Sequence, residues 1–271
     1  MITDTDTLAL PRGVALVAGR LFDSVRGTSW PLNGSGTFVL ARSDRPIGET
    51  VNELSEAFSV PLETARRDVL GFLCRLNALA LVNVERHESR VRRIAEWLQL
   101  AARLAPAGAL PGVMARRRAL DTRSVSLAVT SALRASSARA GSVAAGATVV
   151  AIHVSVVGGA PALVAPLALG TATGIGLGLH EAAHVAALLG VPSALVTHGR
   201  RTRVIHAAVS SSRRSIVALA GPLVVAALGV GLIVAGTALG MPIPTIVGCP
   251  LAAHALALTV VGGDGRTVCG L

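Results

Sequence analysis

The sequence predicts a small α+β domain with a winged-helix-like order of elements, followed by an all-α polytopic membrane domain of about four transmembrane helices. Two observations lead to this prediction. The chain of 271 residues is 52% hydrophobic, with a mean hydropathy of +0.63 and only 15% charged residues, which is too apolar for an ordinary soluble domain. The acidic residues are also unevenly distributed, because between Asp121 and Leu271 the only carboxylate side chains are those of Glu181 and Asp264.

Arginine supplies all of the basic side chains other than histidine, and its distribution predicts the topology. Residues 86–139 hold eleven arginines against three acids, and residues 200–214 hold five more. Such clusters beside apolar spans are typical of cytoplasmic loops; the alternative is a solvated linker without topological meaning. The N-terminal residues MITDTDTLALPRG are acidic and polar, so we do not expect them to form a signal peptide. We therefore expect a multi-pass protein of the bacterial cell membrane with its N-terminal domain in the cytoplasm.

Strands and helices follow a definite order in the N-terminal part. The run VALVAGRLFDSVRGTSWPLN has short β-like pieces broken by turn residues, which predicts a small antiparallel meander. A first helix is expected to open at Ser35 or Gly36, a second to cover residues 49–58, and a third to start at Pro61. One apolar stripe of the third helix is formed by Val69, Phe72, Leu73 and Leu76. The run ALALVNVE then predicts a closing strand.

The run SWPLNGSGTFVLARSDRPIGETVNELSEAFSVPLETARRDVLGFLCRLNALALV resembles the PqqD-like fold, the recognition element of pathways that make ribosomally synthesised, post-translationally modified peptides. The resemblance covers about residues 14–84 and rests on the order of strand, small-residue turn and helices. It implies a domain that is not catalytic and that binds the leader of a precursor peptide as an added strand at a sheet edge. It also suggests peptide-modifying enzymes as further partners.

Carried over to this chain, the resemblance implies a peptide-binding edge at the strand 28–32, beside the third helix. The candidate peptide-binding residues are Thr28, Trp30 and Leu32 on the strand, and Arg66, Val69 and Leu70 on the helix. A DNA-binding winged helix is the alternative. The third helix mixes arginines with Glu63 and Asp68, so it lacks the concentrated basic face that phosphate binding requires. We therefore expect no nucleic-acid partner.

The remainder of the chain divides into a basic linker and an apolar part. The predicted domains are a peptide-binding domain over 1–85, a basic amphipathic linker over 86–140 and a transmembrane domain over 141–271. In the linker, VRRIAEWLQLAARL predicts an amphipathic helix that lies on the inner membrane surface or packs against the first domain. Four apolar segments approach or exceed the length needed to cross a bilayer, at about 142–158, 163–189, 216–239 and 243–261.

The stretch GLGLHEAAHVAALLG places His180, Glu181 and His184 in the second of these spans. The two histidines stand at positions i and i+4 on one helical face, where both imidazoles can reach a single ion. Glu181 projects beside them and is able to take a proton from a bound water. Because ionisable groups are expensive to bury in a membrane and are usually functional there, the pattern predicts half of a catalytic zinc site.

A catalytic zinc takes a third protein ligand, and two residues compete for that role. The soluble-protease pattern HExxHxxGxxH is not continued, since Ala187 and Gly190 occupy its later positions. Asp264 is the carboxylate candidate and His254 is its rival. They lie about 15 Å apart along a helix, so one straight helix cannot supply both to one ion. Other histidines are expected to pack between helices or support the ligands (His153, His254) or to lie on the surface (His198, His206).

The order of these motifs resembles the site-2 protease family of intramembrane zinc metallopeptidases. HEAAH lies in a span, SSSRRSIVALAGPLV follows a polar loop, and Asp-Gly ends a later span, over about residues 151–268. The resemblance implies that His180, His184 and Asp264 are the zinc ligands and that Glu181 is the catalytic base. It also implies a structural role for the Ala-Gly-Pro motif at 220–222.

Taken together, the two resemblances predict a membrane-embedded zinc endopeptidase that cleaves a leader peptide from a modified peptide captured by the N-terminal domain. Zn²⁺ is the expected cofactor, and the precursor peptide and the lipid bilayer are the expected partners. Two alternatives stay open. One is a non-hydrolytic membrane tether or immunity protein for a modified peptide, and the other is a membrane-bound winged-helix regulator.

Overall fold

The computed structural model of the protein describes residues 2–85, 114–158, 164–198 and 201–258. The predicted amphipathic linker helix and Asp264 lie outside these residues. The described chain forms two units. The first contains residues 2–85, 114–119, 192–198 and 201–207, and the second contains residues 120–158, 164–191 and 208–258.

The first unit begins with four short strands. β1 spans Thr7–Ala9, β2 Val14–Val17, β3 Arg20–Asp23 and β4 Thr28–Pro31. The predicted meander is confirmed, since β2, β3 and β4 form one antiparallel sheet in that order. The turn between β2 and β3 consists of Ala18 and Gly19, both with positive φ, which matches the right-handed twist of a two-residue hairpin.

Three helices and a strand follow the meander in the predicted order. α1 spans Gly34–Leu40, α2 Ile47–Ala57, α3 Leu62–Ala78 and β5 Asn83–Glu85. α1 begins one residue before Ser35, because the side chain of Asn33 caps it by accepting a hydrogen bond from the N–H of Gly36 at 2.8 Å. Most of the predicted stripe of α3 is buried in the core, namely Val69, Leu73 and Leu76, and Phe72 packs against that core while half-buried.

A second three-stranded sheet belongs to the first unit although its strands are distant in the sequence. β6 spans Ala115–Ala119, β7 Ser193–His198 and β8 Arg201–His206, all antiparallel in the order β6-β7-β8. The amide of Asn77 at the end of α3 donates to the carbonyl of Ala115 at 2.8 Å and accepts from its N–H at 2.7 Å. The hairpin β7-β8 therefore groups with the N-terminal part of the chain, whereas the domain boundaries at 85 and 141 stay a prediction.

A buried ion pair joins β6 to the meander. The guanidinium of Arg117 binds the carboxylate of Asp23 with both of its terminal nitrogens at 2.7 Å, and both side chains are fully buried. Burial by itself raises the pKa of Asp23, but the hydrogen bond and charge of Arg117, with the N–H groups of Arg26 and Val25, lower it below its ordinary value. The folded first unit therefore holds Asp23 as a carboxylate.

The second unit consists of helices. α4 spans Val125–Val157, α5 Val164–Ala186, α6 Ser211–Ala238 and α7 Pro242–Ala252, which continues as a 3₁₀ helix over Ala253–Leu258. Within the described residues, two of these helices, α4 and α6, are long and apolar enough to cross a membrane, judged by length and composition alone. Four membrane spans remain a prediction, because α5 is interrupted by glycines and ionisable residues and α7 is shorter.

Small residues allow α4 and α5 to pack closely, as the recurring glycines of α5 predict. A Cβ added at Gly174 would lie 2.7 Å from the Cβ of Ala144, and one added at Gly170 would overlap the side chain of Thr148. α4 also begins well before the expected Ser142. The side chain of Ser124 caps it by accepting a hydrogen bond from the N–H of Leu127.

Removing one partner of the buried ion pair should strongly destabilise the first unit. Arg117→Met leaves the buried carboxylate of Asp23 with only the longer 3.4 Å contact to Arg26, and breaking a buried pair in this way costs about 3–5 kcal/mol. The double variant with Asp23→Leu should recover part of this loss, since it buries no carboxylate but leaves the N–H groups of Val25 and Arg26 without that acceptor. The measurement is urea unfolding of the full chain in detergent, followed by the fluorescence of Trp30 with Trp97 replaced by phenylalanine.

The control is Arg20→Met, because Arg20 is exposed and its side chain bonds only to the hydroxyl of Ser29 among the described residues. Equal stabilities of the Arg117 and Arg20 variants would contradict the prediction. The dependence on pH has a definite sign. A lowered pKa of Asp23 stabilises the fold above the unfolded-state value of about 3.9, and this contribution disappears as the pH falls through the lower folded-state pKa. The double variant should lack this loss in acid.

Candidate functional site

The two histidines of the HExxH motif face each other on α5. The Nε2 atoms of His180 and His184 lie 3.0 Å apart, and their rings meet edge to face with centroids 4.6 Å apart. A tetrahedral zinc with bonds of about 2.0–2.1 Å holds two ligand nitrogens roughly 3.3–3.4 Å apart. The observed spacing is close to that value, so the pair presents two nitrogens to one point, as the i, i+4 spacing predicts.

The backbone of α6 fixes the ring of His184. Its Nδ1 lies 2.5 Å from the carbonyl oxygen of Val217. A carbonyl only accepts hydrogen bonds, so Nδ1 carries the proton, and in the neutral ring the lone pair lies on Nε2. A histidine oriented in this way through its other nitrogen is the usual arrangement of metal ligands in proteins.

The Ala-Gly-Pro motif of α6 creates the space for this ring. A Cβ added at Gly221 would lie 2.5 Å from Nε2 of His184 and within 2.9 Å of two ring carbons. Pro222 lies inside α6 and has no N–H to donate along the helix. Gly221 of the Ala-Gly-Pro motif therefore provides the space in which the ring of His184, a candidate ligand, packs against α6.

A third imidazole stands on the other side of His180. The Nδ1 atoms of His254 and His180 lie 3.3 Å apart, and the ring centroids lie 5.2 Å apart. His254 thus reaches the nitrogen of His180 that points away from His184. His254 therefore lies beside a candidate ligand, and its supporting role stays a prediction. His153, by contrast, is exposed on α4 and does not pack between helices.

Glu181 is buried and paired with an arginine of α4. Its side chain is 8% exposed, and Nη1 of Arg139 donates to Oε1 at 3.2 Å. In the sequence, Arg139 stands at the end of the basic region that precedes the first apolar segment. The sequence signal for such a partner is the isolated carboxylate of Glu181, since a glutamate buried among apolar helices needs a cation.

The described residues contain no group of three His, Cys, Asp or Glu side chains arranged to hold a metal ion. They contain two suitable nitrogens, with an acid beside them. Asp264, the predicted third ligand, lies outside the described residues. His198 and His206, expected on the surface, are half-buried in the strands β7 and β8.

The strand predicted to bind the peptide forms in the first unit, while peptide binding itself stays a prediction. β4 is an edge strand of its sheet among the described residues. The N–H of Leu32 donates to the carbonyl of Gly19 at 3.0 Å, so by alternation the backbone groups of Ser29 and Pro31 face away from β3. Proline is tolerated at an outward position because it removes no bond of the ladder. The open edge presents the N–H of Ser29 and the carbonyls of both residues.

A cavity of about 590 Å³ lies between α1, α2 and α3. Its apolar walls include Val39, Phe58, Val69 and Phe72, and its lining also carries the exposed Arg67 and Arg75. The remaining predicted helix residues lie elsewhere. Arg66 forms an ion pair with Asp4 at 2.6 Å, and Leu70 packs against the core. Of the strand residues, Thr28 is exposed, whereas Trp30 and Leu32 pack on the core while half-buried.

A three-stranded meander with an open edge, followed by three helices, defines a small α/β module suited to binding an extended peptide. Residues 19–82 match the family described as Coenzyme PQQ synthesis protein D (PqqD). This match confirms the PqqD-like part of the sequence prediction. No curated protein and no solved structure matches the chain.

A methyl group at Gly221 should disturb the packing of the His184 ring against α6. Gly221→Ala forces the ring or α6 to move, so we expect a lower melting temperature in detergent by circular dichroism. Gly231→Ala is the matched control, because it lies in the same helix and its added Cβ meets nothing within 4 Å. The control should gain about 0.5–1 kcal/mol from the better helix former. Similar shifts for the two variants would contradict this account of the motif.

Proposed function

We propose that the protein is a membrane-embedded zinc metalloendopeptidase that removes the leader from a ribosomally made, modified peptide. The observation that carries this proposal is the pair of facing Nε2 atoms of His180 and His184, with Glu181 next in sequence, on an otherwise apolar helix. The PqqD match of residues 19–82 supports a role with modified peptides.

His180 and His184 would hold the zinc through Nε2, and Asp264 would be the third ligand. Zinc bound in such a site supplies a Lewis acid that polarises a carbonyl and makes a coordinated water more acidic. The fit to these residues is supported by the hydrogen bond from Nδ1 of His184 to Val217, which directs the Nε2 lone pair towards His180.

Glu181 would act first as general base and then as general acid. Its carboxylate takes a proton from the attacking water and delivers it to the leaving amine. Arg139 supplies the counter-charge that offsets the burial of this carboxylate, and its 3.2 Å hydrogen bond orients the group. The apolar helices around the site would exclude bulk water.

The proposal includes the finer topology. Four helices would cross the bacterial cell membrane, the N-terminal module would lie in the cytoplasm, and the metal site would sit near the cytosolic face. The apolar character of α4 and α6 supports membrane association. One basic cluster precedes and enters α4 and the other lies between α5 and α6 and at the start of α6, and this placement supports the orientation.

The leader would be captured as an added strand on β4. The outward N–H of Ser29 and the carbonyls of Ser29 and Pro31 supply its main-chain partners. The cavity between the helices, with its apolar walls and two arginines, would take side chains of the bound segment. Modifying enzymes of the same pathway are further partners in this proposal.

Replacing the proposed base should separate chemistry from metal binding. Glu181→Gln keeps the shape of the side chain but cannot take the proton, so cleavage of a cognate precursor peptide should fall by roughly a hundredfold or more. Zinc content, measured by elemental analysis, should stay at about one ion per chain. His180→Gln should lose both.

Three results would each contradict a part of this proposal. Undiminished cleavage by the Glu181→Gln variant with zinc bound would overturn the assigned role of the glutamate. A wild-type chain that binds the leader but neither retains zinc nor cleaves would instead favour a non-hydrolytic tether or immunity protein. A salt-sensitive affinity for DNA would favour the winged-helix regulator.

Edge-strand capture should depend on one backbone N–H. Ser29→Pro removes the outward donor while leaving the bonds between β3 and β4 intact, so the leader should lose one main-chain hydrogen bond worth about 0.5–1.5 kcal/mol. The affinity of a fluorescent leader peptide, measured by anisotropy, should weaken roughly two- to twelvefold. Ser29→Ala is the control, because it removes only the hydroxyl that accepts from Arg20. Equal affinities of the two variants would argue against this edge.

A further inference from the structure

A row of hydrogen bonds runs from α6 through three imidazoles. It begins at the carbonyl of Val217, passes through the two rings of the HExxH motif, and ends at His254 in the 3₁₀ helix. The order of donors and acceptors along this row is fixed at one end, because the carbonyl of Val217 accepts and Nδ1 of His184 must therefore donate. Each neutral ring carries one proton, so the proton position in one ring constrains the next.

The proton positions without a metal follow from this order. Nε2 of His184 is an acceptor, so Nε2 of His180 donates to it across 3.0 Å. The lone pair of His180 then lies on Nδ1, where it accepts from Nδ1–H of His254 across 3.3 Å. Within this row, His254 is the donor to His180.

Metal binding requires the opposite arrangement at His180. For Nε2 of His180 to offer a lone pair to an ion, the proton of the ring must reside on Nδ1, and Nδ1 then needs an acceptor. His254 becomes that acceptor when its own proton resides on Nε2 instead of Nδ1. Each ring keeps one proton throughout, so no proton enters or leaves the row.

Close packing holds His254 in this place. A Cβ added at Gly176 would lie 2.9 Å from Nε2 of His254 and 2.7 Å from Cδ2 of Leu251. Gly176 stands one turn before His180 on α5, so the glycine lets the segment that carries His254 approach the helix beside the ring it contacts.

We infer that His254 is a positioning residue for the metal site, which orients His180 and accepts the Nδ1 proton of that ring when Nε2 binds the ion. The inference rests on the proposed zinc site. It assigns His254 a supporting role through His180, because it contacts the Nδ1 side of a ring whose Nε2 side faces His184.

The test is the zinc affinity of the full chain in detergent, measured by competition with a chelator of known affinity. His254→Leu offers no hydrogen bond and should weaken zinc binding roughly 10- to 100-fold. His254→Gln provides an amide that either donates or accepts, so its affinity should stay near that of the wild type. His153→Leu removes an exposed histidine of α4 and should change nothing.

Each outcome is decisive. Wild-type affinity in the His254→Leu variant would overturn the inference while leaving the zinc site intact. A His254→Gln variant as weak as His180→Gln would overturn it in favour of direct ligation by His254. A wild-type chain without zinc affinity would overturn the proposed function as well.

Gly176→Ala, which displaces the ring of His254 without removing it, should weaken zinc binding less than His254→Leu, and an unchanged affinity there would count against the inference.

Discussion

The burial of ionisable side chains among apolar helices is the constraint on which the second unit depends. Glu181 and His184 are 6% and 7% exposed, in helices where water offers no compensation. Each polar group therefore needs a partner within the protein. Arg139 donates a hydrogen bond to Glu181, and the carbonyl of Val217 accepts one from His184. These partners come from α4 and α6, so satisfying the chemistry of α5 also fixes which helix faces are turned towards it.

Glycine makes these contacts possible. A polar bond across two helices requires that the backbones approach more closely than ordinary side chains allow. Gly221 gives room for the ring of His184, Gly176 for that of His254, and Gly174 for the backbone and side chain of α4. Helix packing and site chemistry therefore depend on the same residues, and a methyl group at such a position changes both.

The local elements were predictable because they are encoded by residues close in sequence. The turn at Ala18-Gly19, the proline before α3 and the i, i+4 spacing of His180 and His184 each act within a few residues. The partners of the site were not predictable in this way. Arg139 precedes Glu181 by many helical turns, and nothing in either local pattern states that their helix faces meet. The contact depends on tertiary packing, which the periodicity of hydrophobic residues does not predict.

The sheet β6-β7-β8 was missed for a related reason. Its strands stand at 115–119 and 193–206, so loop closure over a long chain brings them together. The sequence suggested a boundary at residue 85 because the predicted closing strand ends there and a basic segment begins, yet groups before that boundary depend on residues far beyond it. Asn77 bonds to Ala115, and the buried Asp23 bonds to Arg117.

A boundary read from composition marks a change of environment, whereas a structural unit ends where its buried polar groups are satisfied. By that criterion the first unit includes the hairpin between α5 and α6, and the chain passes between the two units at several points rather than through one linker.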